Sequence, residues 1–406
     1  MPVNLPLLEH FHSVPGIKIG TYNAGIKQTE RPDLVIFELD EGSSTAGIFT
    51  TNAFCAAPVQ ICKQHLAEEN TRYLVVNTGN ANAGTGKEGY ADAMAICEAL
   101  ANEKGVPVNS VLPFSTGVIG ERLPLEKIVG NISNACEDLN ESNWFEGSRG
   151  IMTTDTQPKG YTAQFEFEGQ MITVSGMSKG AGMIMPNMAT MLCYIATDAP
   201  VQQDILQKLC TELGDKSFNR VTVDGDTSTN DSCILMASGK ANVAAITSES
   251  SELYGALKHE LEKAFLYLAQ AIVRDGEGAT KFVAIDVQNC ENSQEALRIA
   301  YTVAHSPLVK TALFASDANW GRILAAVGRS GVKHMDLDKI QIYLDDVCIV
   351  ENGARAASYT EESGSAVMAQ SELTIRIDMG RGDCNETVWT TDLSHEYVTI
   401  NAEYRT

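Results

Sequence analysis

Nowhere does the chain hold the run of roughly 20 apolar residues that a membrane-spanning helix needs. Its first thirty residues are broken by Glu9, His10, His12 and Lys18 and lack the apolar stretch of a secretory leader. Cations are scarce: 30 Lys and Arg stand against 52 Asp and Glu, a formal charge of −22. Neutralising nucleic-acid phosphates takes clustered Lys and Arg, and an anionic membrane repels such a chain. Neither nucleic acid nor membrane is therefore an expected partner. No Cys-x-x-Cys pair occurs among the ten cysteines and the seven histidines are scattered, so no zinc pattern is present. Several cysteines sit in apolar runs, such as Leu192-Cys193-Tyr194 and Ser232-Cys233-Ile234. There a thiol packs as a small hydrophobe, which predicts a reduced, cytoplasmic protein. Low-complexity tracts, Pro-rich linkers and repeats are missing as well, so the sequence offers no flexible boundary between domains.

What is present is a steady alternation of strand and helix patterns. Leu34–Leu39, Tyr73–Val76, Phe282–Val287, Ile340–Leu344, Leu373–Met379 and Thr387–Thr391 read as strands. In the segment from 374 to 379, Ile375, Ile377 and Met379 alternate with Arg376 and Asp378, the mark of a sheet with one wet face. Gln164–Ser175 predicts a hairpin turning near Glu168-Gly169-Gln170. Helices are expected over Ala91–Lys104, over Ser251–Arg274, and after Asp198-Ala199-Pro200, with Pro200 in the first turn.

One stretch resists a structural reading. Ser175–Ala199 (SGMSKGAGMIMPNMATMLCYIATDA) opens with the breakers Gly176, Gly180, Gly182 and Pro186-Asn187, yet is rich in Met. An irregular apolar segment is costly, because each buried backbone group needs a partner. Thr190 stands where this loop turns into the strand-like TMLCYIA. Either Thr190 merely starts a strand, or the junction carries chemistry. A threonine hydroxyl is a weak nucleophile that needs an adjacent base. Scission before Thr190 would place a free α-amine, of ordinary pKa about 7.7–8.0, on the same residue. The hydroxyl itself could perform that scission by attacking the carbonyl of the small Ala189.

The run from Lys179 to Leu192 (KGAGMIMPNMATML) is similar to the processing site of the ornithine acetyltransferase family, arginine-biosynthetic enzymes that move acetyl from N-acetylornithine to glutamate. Agreement continues in order along nearly the whole chain. It covers AGIFTTN at 46–52, APV at 57–59, NTGNANAG at 77–84, STGVIG at 115–120 and TTD at 153–155. It resumes with TVDGDTSTND at 222–231, GEGATK at 276–281, DANWGR at 317–322 and NAEY at 401–404.

The resemblance implies an α/β fold of the αββα-sandwich type, shared with self-processing aminopeptidases. It implies autocleavage between Ala189 and Thr190 into an α chain, residues 1–189, and a β chain, residues 190–406, co-folded as one unit and assembled as α2β2. Thr190 is then the nucleophile and acetyl carrier, and Thr116 and Gly117 form the oxyanion hole. The substrates are N2-acetyl-L-ornithine and L-glutamate, contacted by Thr153 (Thr154 being the close second choice), Lys179, Thr190, Glu277, Asn401 and Thr406. Lys179 supplies the local cation that an anionic substrate needs against the net charge, and Glu277 is its matching anion, with its exact role left open. No metal or organic cofactor is implied. Acetyl-CoA use as a second donor is left open, and a self-processed aminopeptidase or amidase is the alternative activity.

Two further motifs are read as structural. Asp224, Asp226 and Asp231 lack the Glu that an EF-hand loop requires and are assigned to a turn-rich loop. Gly84-Thr-Gly86-Lys-Glu-Gly89 matches a dinucleotide fingerprint only formally, since no acid stands at a following strand end.

Overall fold

Strands that are apolar on both faces must be covered on both sides, and Leu34–Leu39 (LVIFEL) is such a strand. The computed structural model describes residues 1–27, 30–185 and 191–403. They fall into two compact units. The larger one comprises Pro6–Asn219 and Asp226–Ile272. Its strands are β1 (Ile17–Tyr22), β2 (Leu34–Leu39), β3 (Ser44–Phe49), β4 (Tyr73–Asn80), β5 (Val111–Val118), β6 (Lys159–Phe167), β7 (Gln170–Lys179), β8 (Leu192–Thr197) and β9 (Ser232–Ala237). They build a sheet of order β1-β2-β4-β5 and a second of order β3-β9-β8-β7-β6.

The two sheets face each other. Val35, Phe37, Leu74, Val76, Leu112 and Phe114 of the first pack against Met177, Leu192, Tyr194, Ala196, Ile234 and Met236 of the second. The first sheet's other face, with Leu34, Ile36, Tyr73, Val75 and Val111, is covered by the helices Ala57–Glu68 and Gly86–Lys104. Helix Gln203–Lys216 lies against β3 and β9 of the second sheet. Helix Glu252–Arg274 covers β7: the Ser178 hydroxyl donates to Leu268 O at 3.2 Å. This is the α-β-β-α order of layers.

Two local expectations change. Gly176 is not a breaker but lies inside β7, where a Cβ would stand 2.9 Å from Ile195 and 3.1 Å from Leu268. Glycine is needed there for the close approach of strand and helix. Pro200 does not open a helix. The chain first runs extended through the Val201–Ile246 bridge, and the helix begins at Gln203.

The smaller unit gathers Met1–Leu5, Arg220–Gly225 and the chain from Val273 onward. Its strands are β10 (Phe282–Cys290), β11 (Gln341–Leu344), β12 (Val347–Glu351), β13 (Ala354–Arg355), β14 (Glu372–Asp378) and β15 (Cys384–Thr391), in the order β13-β12-β11-β14-β10-β15. Burial in β14 follows the alternation of its sequence, with Leu373, Ile375 and Ile377 inside. Helices Ser293–Ala304 and Trp320–Gly328 supply Ile299, Val303, Ile323, Ala326 and Val327 to the same core. Among the described residues, no helix is long and apolar enough to cross a membrane.

Tyr194 is the largest side chain at the centre of the sandwich besides Trp144. Its ring lies 4.8 Å from that of Phe37 and meets Phe114 edge-on at 5.3 Å, but its hydroxyl has no hydrogen-bond partner among the described residues. A buried unsatisfied donor costs about 1–3 kcal/mol. Tyr194→Phe is therefore expected to raise stability by about 1 kcal/mol, and Tyr194→Ala to lower it by about 3–5 kcal/mol. Urea denaturation of the two variants checks both signs.

Candidate functional site

Side chains alternate between the two faces of a strand, and this parity places the first pair of candidate residues. Lys179 follows Met177 by two residues in β7, and Thr116 follows Leu112 and Phe114 by the same step in β5. Both side chains thus point into the space between the sheets. There Lys179 Nζ donates to Thr116 Oγ1 at 3.1 Å. Lys179 is 2% exposed and Thr116 5%. Lys179, in the stretch read as an irregular loop, is instead the last residue of β7, and Thr116 and Gly117 lie in β5.

Gly117 pairs with Gly79 of the parallel neighbour β4. Its φ is +135°, and a Cβ would stand 2.2 Å from Gly79 C and 2.5 Å from Asn80 N. No other residue fits at this end of β5.

A buried carboxylate ties further candidates to this pair. Asp155 Oδ2 accepts from Thr153 N at 2.8 Å. Its Oδ1 accepts from Gly180 N at 2.7 Å and from Lys159 Nζ at 2.5 Å. Burial alone would raise the Asp155 pKa. The Lys159 charge, the Lys179 charge and the Gly180 N–H outweigh it and hold the carboxyl far below its ordinary range. The turn that carries Thr153 and Thr154 is thus fastened to the residue that follows Lys179. Its carbonyls are held as well, because Lys27 Nζ donates to Met152 O at 2.6 Å and Arg31 Nη2 to Thr153 O at 3.3 Å.

In the smaller unit, Glu277 and Asn401 meet although 124 residues apart: Asn401 Nδ2 donates to Glu277 Oε2 at 2.7 Å. The same amide donates to Tyr397 O at 2.9 Å, and the Tyr397 hydroxyl to Asp224 Oδ2 at 3.1 Å. The Ser394 hydroxyl, donating to Gly278 O at 2.7 Å, pins this helix to the Gly276-Glu-Gly278 turn.

Ala189, Thr190 and Thr406 lie outside the described residues. The chain directly after Thr190 is anchored through its main chain. Met191 N donates to Asp231 Oδ1 at 3.0 Å, and Ser232 N to Met191 O at 3.1 Å. Asp231 is fully buried, and burial pushes its carboxyl well up. Its neighbour Asn230 donates to Ala81 O at 2.6 Å and Ser115 O at 3.0 Å. The loop expected at 222–231 is therefore more than a turn-rich connection, since its last residues bind the ends of β4 and β5 to the start of β8.

Sequence reasoning missed Asp231, Asp155, Lys159, Lys27 and Arg31. The first two stand in quoted motifs, TSTND and TTD, where an acid among small polar residues signals a backbone-gripping carboxylate. The three cations carried no local signal.

The comparisons with known proteins point to one family. The ArgJ family profile matches residues 18–406. A protein of Pseudomonas syringae pv. tomato, named arginine biosynthesis bifunctional protein ArgJ, is 59% identical over 406 residues, covering 100% of both chains. The solved structure of the Bacillus halodurans protein of that name is 36% identical, covers 52% of this chain and 97% of that one, and superposes with a TM-score of 0.49. The ornithine acetyltransferase of Mycobacterium tuberculosis, solved in complex with ornithine, is 31% identical and covers 44% of this chain and 95% of that one, with a TM-score of 0.38.

Removing Lys159 leaves Asp155 as a buried charge without its nearest cation, so Lys159→Met is expected to cost about 3–5 kcal/mol. The depressed pKa of Asp155 fixes the sign of the pH dependence. Its contribution is complete above the ordinary carboxyl value of about 3.9 and is lost as the pH falls below it. Urea midpoints of wild type and variant at neutral and acid pH test this, and the gap between them should narrow in acid.

Proposed function

The chain belongs to the ArgJ family and is an acetyltransferase of arginine biosynthesis, and we propose that it carries acetyl from N2-acetyl-L-ornithine to L-glutamate as an ester on Thr190. The observation that carries this reading is the buried Lys179–Thr116 hydrogen bond beside Gly117, in a chain whose relative at 59% identity spans its full length.

Maturation comes first. The Thr190 hydroxyl attacks the Ala189 carbonyl carbon, the Ala189–Thr190 C–N bond breaks, and the hydroxyl proton ends on the departing nitrogen. Water hydrolyses the ester so formed, leaving residues 1–189 with a new carboxylate and residues 190–406 with an α-amine. In turnover, that amine takes the proton from the Thr190 hydroxyl while the oxygen attacks the acetyl carbon. The proton passes to the ornithine nitrogen as the C–N bond breaks, and L-ornithine leaves. The glutamate amine then attacks the acetyl ester, and its proton returns to Thr190.

Each tetrahedral intermediate carries a negative oxygen, which needs donors already in place. Thr116 suits the task because Lys179 donates into its Oγ1, leaving the hydroxyl hydrogen to point elsewhere. The Gly117 N–H is the second donor. Lys179 also holds the substrate α-carboxylate, with Thr153 beside it. Asn401 and Thr406 contact the ornithine side chain, and Glu277, hydrogen-bonded to Asn401, orients the Thr190 amine or holds the amine of the acceptor. Every proton in this scheme has a protein or substrate group as its carrier, so it calls on no metal or organic cofactor. We assign the processed protein to the cytoplasm as an α2β2 assembly, with acetyl-CoA as a second donor in keeping with the bifunctional name of its relatives.

Intact-mass measurement and an acetyl-transfer assay test the scheme. Wild type should resolve into chains of residues 1–189 and 190–406. Thr190→Ala should stay a single chain without transfer, and an active Thr190→Ala enzyme would refute the proposal. Thr116→Val is expected to lower kcat by about a hundredfold or more. Ornithine release at an undiminished rate without glutamate would instead identify a hydrolase.

A further inference from the structure

We propose that Lys27 is a positioning residue of the substrate site, acting through the Met152–Asp155 turn and jointly with Lys179 to set the charge that receives an amino-acid carboxylate. The inference rests on the reading of Lys179 as the carboxylate-binding cation.

Lys27 is held from both ends. Asp33 accepts the main-chain N–H groups of Ala24 at 2.6 Å, Ile26 at 2.6 Å and Lys27 at 3.0 Å, which fixes this stretch of chain. The Lys27 stem lies over Gly79, the partner of Gly117, and a Cβ on Gly79 would stand 2.7 Å from Lys27 Cγ. Its ammonium ends on Met152 O, one residue before Thr153. Loss of Lys27 would therefore remove the hydrogen bond to Met152 O and leave the turn held through Arg31 and Asp155.

The charges around it are unbalanced. Arg31 and Lys179 face Lys27 as like charges, and Asp155 and Asp33 as opposite ones. Neither carboxylate is free to serve Lys27 alone. Asp155 is shared with Lys159, Gly180 N and Thr153 N, and Asp33 with three main-chain amides. Burial first, then Arg31 and Lys179, lowers the Lys27 pKa to about 7. Near neutral pH the ammonium is accordingly only partly formed. A carboxylate arriving at Lys179 supplies the missing negative charge and favours protonation of Lys27. By linkage, binding takes up a fraction of a proton near pH 7, and affinity falls as the pH rises above that value. A lysine that served only as a packing strut would tie the turn without this coupling.

The test is calorimetric titration of the processed enzyme with L-ornithine at about pH 7, the Lys27 pKa, in buffers of different ionisation enthalpy, together with KM for N2-acetyl-L-ornithine across pH. Wild type should take up protons on binding, and its KM should rise with pH. Lys27→Arg keeps a cation that does not titrate. It should bind well, take up fewer protons than wild type, and lose the rise in KM. Lys27→Met should raise KM about tenfold, the equivalent of one pKa unit of coupling, with a much smaller fall in kcat. Wild-type proton uptake and pH dependence in Lys27→Arg would overturn the proposal even if Lys27→Met failed to fold. Lys179→Met separates the two readings. Unchanged ornithine affinity there would sink the role given to Lys179, whereas lost affinity with both Lys27 variants behaving as wild type would sink only the present inference.

Discussion

The buried carboxylate of Asp155 is the constraint on which the rest of the larger unit's site depends. An unpaired charge inside a protein is strongly unfavourable, so Asp155 has to collect donors, and the donors it collects are the parts of the site. Lys159 begins β6, Gly180 follows the last residue of β7, and Thr153 lies on the turn before β6. With those three fixed to one group, Lys179 has little freedom, and its ammonium reaches Thr116 across the gap between the sheets. Hydrogen bonds to an ionised acceptor are shorter and stronger than neutral ones, which suits a junction that must keep its shape.

Charge is organised on two scales. The whole chain carries −22, yet Lys27, Arg31, Lys159 and Lys179 all bear on the small region around Asp155. On the proposed reading, an anionic amino acid would meet repulsion from the net charge and attraction from these four cations. Screening weakens the distant field within about 8–10 Å, while buried cations at the site keep most of their effect. A few buried cations can thus attract a carboxylate without a large basic patch on the surface.

Much of the fold was legible because it rests on periodicity. The unbroken LVIFEL marks a strand covered on both faces, the alternation in β14 declares its buried face, and the hairpin turning at 168–169 and the long helix Glu252–Arg274 form where the sequence predicts them. Positions whose fate is decided by a distant partner were not legible. Gly176 looks like a breaker until the helix that packs on it is known, and Pro200 a helix start until Ile246 pairs beside it. For the site, the resemblance supplied residue identities, but strand parity explains why two of them touch. Lys179 and Thr116 are 63 residues apart and in different sheets, a contact that no local pattern encodes. Asp231 was passed over because an acid in a turn-rich run is ordinarily solvated, whereas this one is enclosed and grips Met191 N.

β8 follows Met191 directly and is hydrogen-bonded on one side to β7 and on the other to β9. A cut in front of it would therefore leave every rung of that ladder in place, with β9 and β8 of the second fragment seated side by side between β3 and β7 of the first. The thermodynamics would change even so. An uncut chain finds its fold in a unimolecular step, whereas two fragments must first meet, so recovery after complete unfolding would depend on protein concentration. Maturation of this kind works as a ratchet: the polypeptide folds once as one molecule, and afterwards its persistence rests on how slowly it comes apart.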